Sequence, residues 1–390
     1  MSDVLPPVRL LTDELPKGPW IFGRQVETRD APLDGSLVEV LDHSGRFCGH
    51  GLYNGASDIR VRVLSRGKKS ELRNPRDFLL RRLASADRIR KKVLRLPEVT
   101  DAYRIVHAEG DDLPGLIVDK LGDCLVCEHH SLGFWKLRRE LESALSELYP
   151  EVPIVHRVPP SVTKSEGFTP EEPTADLGQR WIRENGLAFP VRPGHGHKTG
   201  WFCDQRDNRV RVASFARGQD VLDLCCNAGG FALHAARAGA SRVRGIDLDE
   251  VPIASARDAA AKNGLAAEFI HADAFDVLRS VREDRQKPGV VVVDPHKIVK
   301  TRMQLEAGLK RYSDLNTLAL ECVRPGGVVA TFSCSGILDL PSFLGMVFQA
   351  ARRAGREIRL LETLGAGPDH PQRPEFSRSR YLKGALLAVD

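Results

Sequence analysis

The chain has 390 residues, 42% hydrophobic and 28% charged, a composition that excludes a disordered or collagen-like protein. Its 57 basic and 52 acidic residues leave a net charge of +5, which excludes a supercharged nucleic-acid tail but identifies no partner. Eight scattered cysteines exclude a disulfide scaffold, and no run approaches the roughly 18 apolar residues of a spanning helix. With no signal-peptide pattern at the N-terminus, the expectation is a cytoplasmic protein without a membrane partner.

Residues 1–72 are rich in strand signals. Pro19-Trp20-Ile21-Phe22 supplies an apolar plug, and Leu37–Asp42, Cys48–Tyr53 and Ile59–Leu64 are short apolar or β-branched runs. Asp42–Gly45 and Asn54–Ser57 bring turn chemistry between them, so the segment predicts a small β-barrel. Between Arg60 and Arg95 stand 14 Lys or Arg against three acids, Glu71, Asp77 and Asp87. That window carries +11 and the rest of the chain −6. Leu79, Leu83, Ala86, Ile89 and Val93 recur at helical spacing, with the basic residues mostly elsewhere on the wheel. A solvated helix face normally mixes signs. One sign alone predicts a phosphate-contacting surface, with Arg60, Arg62, Lys68, Lys69, Arg81 and Arg82 as candidates.

Residues 73–190 read as a central α+β segment. It holds the basic helix, strands at Tyr103–Ala108, Gly115–Lys120 and Cys124–His129, and an amphipathic helix from Trp135 to Leu148. The stretch Pro159–Pro173 reads as a linker or an extended excursion. Cys124, Cys127, His129 and His130 resemble zinc ligands in type only. Positions 124 and 127 face opposite sides of a strand and no second Cys pair exists, so no metal is expected.

Residues 191–390 become regular from position 219. Strand-like runs fall at 221–224, 242–247, 268–271, 290–294, 328–333, 358–362 and 382–389, and helices separate the first six. This alternation predicts an α/β, doubly wound, mostly parallel sheet. The loop 365–380 joins the last two strands without a helix, so the final strand is expected to run backwards, as in class I methyltransferases.

In such a sheet the ligand sits at the carboxyl ends of the strands, where strand order reverses. The first strand leads into Asp223-Leu-Cys225-Cys-Asn227-Ala-Gly229-Gly-Phe231, and Asp247 ends the second, placed for a ribose diol. This loop is not G-x-G-x-x-G, which argues against a pyrophosphate cradle and for an adenosine ligand without phosphates, S-adenosylmethionine. Asp273, after the third strand, would reach the adenine edge; a helix N-cap is its alternative role. The fourth strand ends at Asp294-Pro295-His296-Lys297, and the fifth at Ser333-Cys334-Ser335. Cys334 reads either as an inert packing residue or as a nucleophile. Cys225 is the lesser candidate.

These motifs in this order resemble the RlmI family of ribosomal RNA large-subunit cytosine methyltransferases. Matching segments include Tyr103-Arg-Ile, Asp112–Gly115, His195–Gly200, Asp204–Arg209, Tyr312–Asn316, Thr331–Gly336 and Tyr381–Gly384. The resemblance implies a PUA-like RNA-binding domain at the N-terminus and S-adenosylmethionine as cofactor. It also implies a class I, Rossmann-like methyltransferase domain and large-subunit ribosomal RNA as partner; a homodimer is compatible with it. It further implies Cys334 as the nucleophile, with Asp294 on the cytosine edge and a target base taken out of its stack. By the same resemblance Gln205 borders the cofactor, and Lys198, beside His195 and His197, meets cofactor or RNA. His296 departs from the family, which has a second proline there; its plainest reading is a loop residue without chemistry. Two rivals keep the fold: a methyltransferase for a base nitrogen, and a non-catalytic RNA-binding assembly factor.

Overall fold

A computed structural model describes residues 5–27, 31–171, 174–299 and 301–390. The chain forms two units. The first is Met1–Arg180 with Val191–Trp201 and Pro368–Ser379, and the second is Trp181–Pro190 with Phe202–Gly367 and Arg380–Asp390.

The first unit begins with strands β1 (Pro7–Arg9), β2 (Trp20–Phe22), β3 (Leu37–Leu41), β4 (Phe47–Tyr53) and β5 (Ile59–Ser65), in the order β1-β3-β4-β5-β2. A bridge from Leu10 to Val26 ties the two ends of this sheet together, completing a small barrel. Ile21, Val38, Val40 and Val61 are fully buried inside it, as period-two alternation requires. The expected plug at Trp20 is thus an edge strand, with Trp20 paired opposite Arg62.

Helix α1 (Pro75–Arg88) starts where the Asn74 side chain accepts from the Asp77 backbone N–H and Pro75 presets the first turn. Leu79, Leu83 and Ala86 of the stripe read from the sequence are buried, joined by Phe78, whereas Ile89 is half-buried and Val93 exposed in the π-helical turn that follows. Strands β6 (Ala102–His107), β7 (Leu116–Leu121) and β8 (Cys124–His129) follow, then helices α2 (Leu132–Lys136) and α3 (Arg138–Leu148) and strand β9 (Ile154–Arg157). The strands make a second sheet, β6-β7-β8-β9. Leu52 and Leu64 of the barrel belong to the same core as Phe78, Leu83, Val106 and Leu145. The helix expected over 135–148 is two helices, broken at Leu137, whose ψ of 13° leaves the helical range.

The linker expected at Pro159–Pro173 is corrected over its first half: Pro160–Glu166 is helix α4. Proline at its first position suits helix initiation, and Gly167 at φ 68° ends it. Pro173 lies outside the described residues. Glu166 is buried and gathers four donors: Arg62 and Ser57, each at 2.8 Å, Asn54 at 3.1 Å and the Leu132 backbone N–H at 3.2 Å. Burial pushes its carboxyl up, but Arg62 and these hydrogen bonds outweigh burial and hold it below the ordinary value.

The basic run also differs from the expected unopposed surface. Its acids arrive from outside the window. Arg62 pairs with Glu166, Lys69 with Glu39 at 2.8 Å, Arg82 with Asp112 at 3.3 Å, and Arg76 with Glu147. Arg90, with no side-chain exposure, makes a bidentate pair with Asp111 at 2.6 and 2.8 Å.

The second unit opens with a hairpin, β10 (Arg180–Glu184) and β11 (Leu187–Val191), turned by left-handed Asn185 and Gly186. After α5 (Arg206–Ala213) the alternation runs β12 (Asp220–Leu224), α6 (Gly230–Arg237), β13 (Arg242–Asp247), α7 (Glu250–Asn263), β14 (Glu268–His271) and α8 (Ala274–Glu283). It continues through β15 (Val290–Val293), α9 (Leu305–Cys322), β16 (Gly327–Ser333), α10 (Leu340–Arg353), β17 (Ile358–Gly365) and β18 (Lys383–Val389). The sheet order is β14-β13-β12-β15-β16-β18-β17. Strand β18 is antiparallel to both neighbours and the remaining pairs are parallel, as the sequence predicts. Val290–Val293 are covered on both faces, the property that makes a continuous valine run legible.

Candidate active site

Strand order reverses between β12 and β15, so the carboxyl ends of β12, β13, β14, β15 and β16 share one edge. Registers of Leu224 against Ile246 and Val293, and of Val293 against Thr331, align the loops that follow. In the loop after β12, Cys225, Asn227 and Gly229 alternate in the left-handed region at φ 58°, 49° and 76°. Strained backbone of this kind persists where surrounding contacts fix it. Here Asp247 does so: its carboxylate accepts from the Asn227 N–H at 2.8 Å and the Asp249 N–H at 3.0 Å.

The two glycines make room for protein rather than directly for a ligand. A Cβ on Gly229 would meet the Phe269 ring at 2.7 Å, and one on Gly230 would meet Arg209 Nε at 2.5 Å. Arg209 in turn makes a buried bidentate pair with Glu184 of β10 at 2.7 and 2.9 Å. Phe231 packs its ring on Phe332, centroids 5.4 Å apart.

Four acids act on Cys225 through their charge. Its thiol is pushed well up, first by desolvation and then by Asp247, Asp294, Asp223 and Asp273. Asp223 is fully buried, its Oδ2 accepts from the Ala232 N–H at 2.9 Å, and its Oδ1 has no partner. Burial raises its carboxyl well above the ordinary range. Asp273 caps α8 by accepting from the Phe275 N–H at 2.7 Å, which satisfies one of its two oxygens. The unpartnered buried oxygen of Asp223, with three further acids at this edge, fits a ligand that carries hydroxyl donors and a sulfonium cation, as S-adenosylmethionine does. Gln205 engages the acid that follows β15. Its amide donates to Asp294 Oδ2 at 2.9 Å, while its own side-chain oxygen accepts from Asn208 at 2.6 Å. It orients Asp294.

Cys334 stands in a different field. It follows β16, is half-buried, and lies one residue from Ser335, whose carbonyl accepts from Lys383 Nζ at 2.6 Å. Tyr381 O accepts from the same ammonium at 2.7 Å. Lys383 is 5% exposed; burial lowers it to about 8, with Cys334 and Asp339 acting in the opposite sense. Tyr312 of α9 bridges the serines that flank the cysteine, at 3.0 Å from Ser333 Oγ and 3.1 Å from Ser335 Oγ. The Tyr312–Asn316 motif is therefore the support of the cysteine turn. Sequence reasoning misses Lys383, because a lone lysine at a strand start reads as surface; its one signal is the Tyr381–Gly384 segment.

Other expected residues are placed within their own units. Arg60, Arg62, Lys68, Lys69, Arg81, Arg82 and Lys198 all belong to the first unit. Arg62 is occupied by Glu166, whereas Lys68 and Arg81 are exposed. His195 Nε2 faces Ala175 O at 3.4 Å and Asp176 at 3.9 Å. His296 is exposed in the loop after β15. Cys124 and Cys127 are buried in β8, and burial pushes both thiols up, that of Cys124 to about 11.

Comparison with known proteins covers nearly the whole chain. Residues 17–66 match the family model of a PUA-like domain, and residues 156–384 match that of an S-adenosylmethionine-dependent methyltransferase. The chain is 37% identical over 387 residues to the ribosomal RNA large subunit methyltransferase I of Aeromonas salmonicida, covering 96% of each chain. It is 37% identical to the protein of that name from Shewanella amazonensis, covering 95% of each. Among solved structures, "A putative sam-dependent methyltransferase from Streptococcus mutans" superposes with a TM-score of 0.81 at 19% identity, over 99% of this chain and 100% of that one.

Proposed function

We propose that this chain, which belongs to the family of ribosomal RNA large subunit methyltransferase I, forms 5-methylcytosine in that RNA through a covalent bond to Cys334. It is an S-adenosylmethionine-dependent rRNA methyltransferase. The carbon-5 target and the covalent route are our reading. The observation that carries it is the setting of Cys334: a half-buried thiol whose neighbour Ser335 holds a buried ammonium by its carbonyl, on a turn fixed by Tyr312.

Carbon 5 of cytosine is too electron-poor to take a methyl group unaided. When the Cys334 thiolate adds to carbon 6, electron density moves to carbon 5 and makes it enamine-like. Lys383 favours the thiolate by placing a positive charge beside it. Asp294, oriented by Gln205, hydrogen-bonds the cytosine edge and helps protonate it. After carbon 5 carries the methyl group, a base removes its proton, the double bond re-forms and Cys334 leaves. S-adenosylmethionine, when bound, supplies an electrophilic methyl group on its sulfonium. Asp223, Cys225, Asn227, Gly229, Phe231, Asp247 and Asp273 surround the place where it would be held. Asp247 is suited to a ribose diol and Asp273 to the adenine edge.

Residues 1–72, 73–190 and 191–390 then act as RNA-binding, connecting and catalytic parts, except that Val191–Trp201 and Pro368–Ser379 fold with the first unit and Trp181–Pro190 with the second. Arg60, Lys68, Lys69, Arg81, Arg82 and Lys198 serve the RNA, and Arg62 serves the fold. Cytoplasmic location accords with this substrate, and no helix among the described residues is long and apolar enough to cross a membrane. Assembly as a homodimer is a further part of this reading, favoured by exposed Leu360 and Leu361 on β17, the edge strand. Sedimentation of the purified protein as a monomer would remove it. The central test is trapping with RNA containing 5-fluorocytosine: wild type should give a covalent adduct and Cys334→Ala none. Methyl transfer retained in Cys334→Ala would instead assign a base nitrogen as the target.

A further inference from the structure

Two buried amides of the second unit, Asn208 in the first turn of α5 and Gln205 just before it, form a relay that ends on Asp294. The Asn208 amide nitrogen lies 2.9 Å from the Gly365 carbonyl and 2.6 Å from Gln205 Oε1. Gln205 Nε2 lies 2.9 Å from Asp294 Oδ2. A peptide carbonyl can only accept, so the group that Asn208 turns toward Gly365 is its NH2. The second hydrogen of that NH2 meets Gln205. The carbonyl of Gln205 must therefore face Asn208, and its NH2 must face Asp294. One backbone oxygen thus sets the direction of every hydrogen bond in the relay. That oxygen is held in place. Gly365 closes β17 and pairs in register with Lys383 of β18, and the Gly367 N–H donates to the Asp204 carbonyl at 3.0 Å. The Tyr381 hydroxyl ties down the same segment by donating to Asp204 Oδ2 at 2.6 Å.

We propose that Asn208 is a positioning residue for methyl transfer: through Gln205 it holds Asp294 Oδ2 as an acceptor without a proton. Any proton on Asp294 is then confined to Oδ1, the oxygen from which it passes to a ring nitrogen of the base. In that step the Oδ1–H bond breaks as the N–H bond forms, leaving an ionised carboxylate beside a protonated base. An amide free to turn would accept from Oδ2 as readily as it donates, and the place of the proton would be undecided. The proposal rests on the reading of Asp294 at the cytosine edge for its consequence, whereas the direction of the relay rests on the geometry alone. If Asn208 and Gln205 only packed α5 against the end of β17, their losses on substitution would be independent of each other.

The test uses the full-length protein and unmodified large-subunit rRNA, with kcat and KM measured by transfer of labelled methyl. Asn208→Asp keeps the shape but replaces the donor by an acceptor, so Gln205 turns and presents its carbonyl to Asp294. That variant should lower kcat at least about twentyfold, whereas Asn208→Ala, which only releases Gln205, should lower it about fivefold. KM for rRNA and S-adenosylhomocysteine affinity by calorimetry should stay within about twofold of wild type in both. Gln205→Met should also cost about fivefold. Added to Asn208→Asp, it should raise kcat back to the level of Gln205→Met, because no misdirected carbonyl is left. A double variant slower than Asn208→Asp would overturn the proposal, since independent losses add in free energy. Should Asn208→Asp fail to fold, seen as lost S-adenosylhomocysteine binding, Asn208→Ala with Gln205→Met decides. A kcat equal to that of Gln205→Met supports the relay, and the product of the two single losses overturns it. If wild type makes 5-methylcytosine while the losses multiply, the relay alone is refuted. If wild type methylates another atom while the double variant recovers, the carbon-5 reading falls and the relay stands.

Discussion

Two thiols sit at the same edge of one sheet in opposite electrostatic settings. Cys225, after β12, faces Asp223, Asp247, Asp273 and Asp294, and its thiol is held protonated. Cys334, two strands away along the sheet order, has the ammonium of Lys383 in its field. Chain position and residue type do not separate them, since both close a parallel strand at the crevice. The neighbours do: carboxylates suit a cationic ligand and suppress a nucleophile, whereas a buried lysine does the reverse. One edge thus serves a sulfonium and a thiolate by dividing its charges between strands.

This division can be broken experimentally, and the effects should fall in a definite order. Replacing the nucleophile, Cys334→Ala, should lower methyl transfer to rRNA by about 10³-fold or more, measured with labelled cofactor. Lys383→Met keeps the volume and removes the charge, and it should slow iodoacetamide alkylation of Cys334 about tenfold at pH 7. The sign of the pH dependence follows from the lysine. Its value is lowered to about 8, so the ammonium is present below that pH and is lost above it. The gap between wild type and Lys383→Met should therefore be widest below pH about 8 and close as pH rises. A gap that widened above pH 8 would remove the lysine from the thiolate's support.

Tyr312→Phe deletes the hydroxyl that bridges Ser333 and Ser335. A lost hydrogen bond of about 1 kcal/mol predicts roughly a fivefold fall in kcat with KM for RNA unchanged. Cys225→Ala should be the mildest, within about twofold of wild type in methyl transfer, because a thiol held protonated contributes packing alone. Loss of the 5-fluorocytosine adduct in Cys225→Ala, with the adduct kept in Cys334→Ala, would invert the comparison.

The catalytic sheet is legible in the sequence because its strands are covered on both faces. Val290–Val293 and the alternation around it admit no other architecture, and the acids and cysteine at the strand ends are visible as such. What escapes depends on partners distant in sequence. Glu166 lies in a proline-rich stretch that reads as linker until Arg62, 104 residues earlier, is seen to need it. The cationic run is plain in the sequence, but the acids that quench it sit at positions 39, 111, 112, 147 and 166, outside any local window. The β1 strand of three residues and the 180–191 hairpin are too short or too mixed in pattern to register. Lys383 carries no local sign of its burial. Charges are read one at a time from a sequence, and their pairing belongs to the fold.

The return of Pro368–Ser379 to the first unit has a consequence for biosynthesis. Arg90, buried at the centre of that unit, donates to the Asp369 carbonyl at 2.6 Å, and the Asp369 carboxylate accepts from the Arg104 N–H at 3.0 Å. These partners are separated from the arginines by 279 and 265 residues. A nascent chain that has emerged through residue 367 therefore still holds an incompletely bonded guanidinium in its N-terminal half. The earliest-made unit is finished almost last, when the ribosome has delivered the segment just before Lys383. A prematurely terminated product would lack both the closing contacts of its first unit and the cation beside its nucleophile.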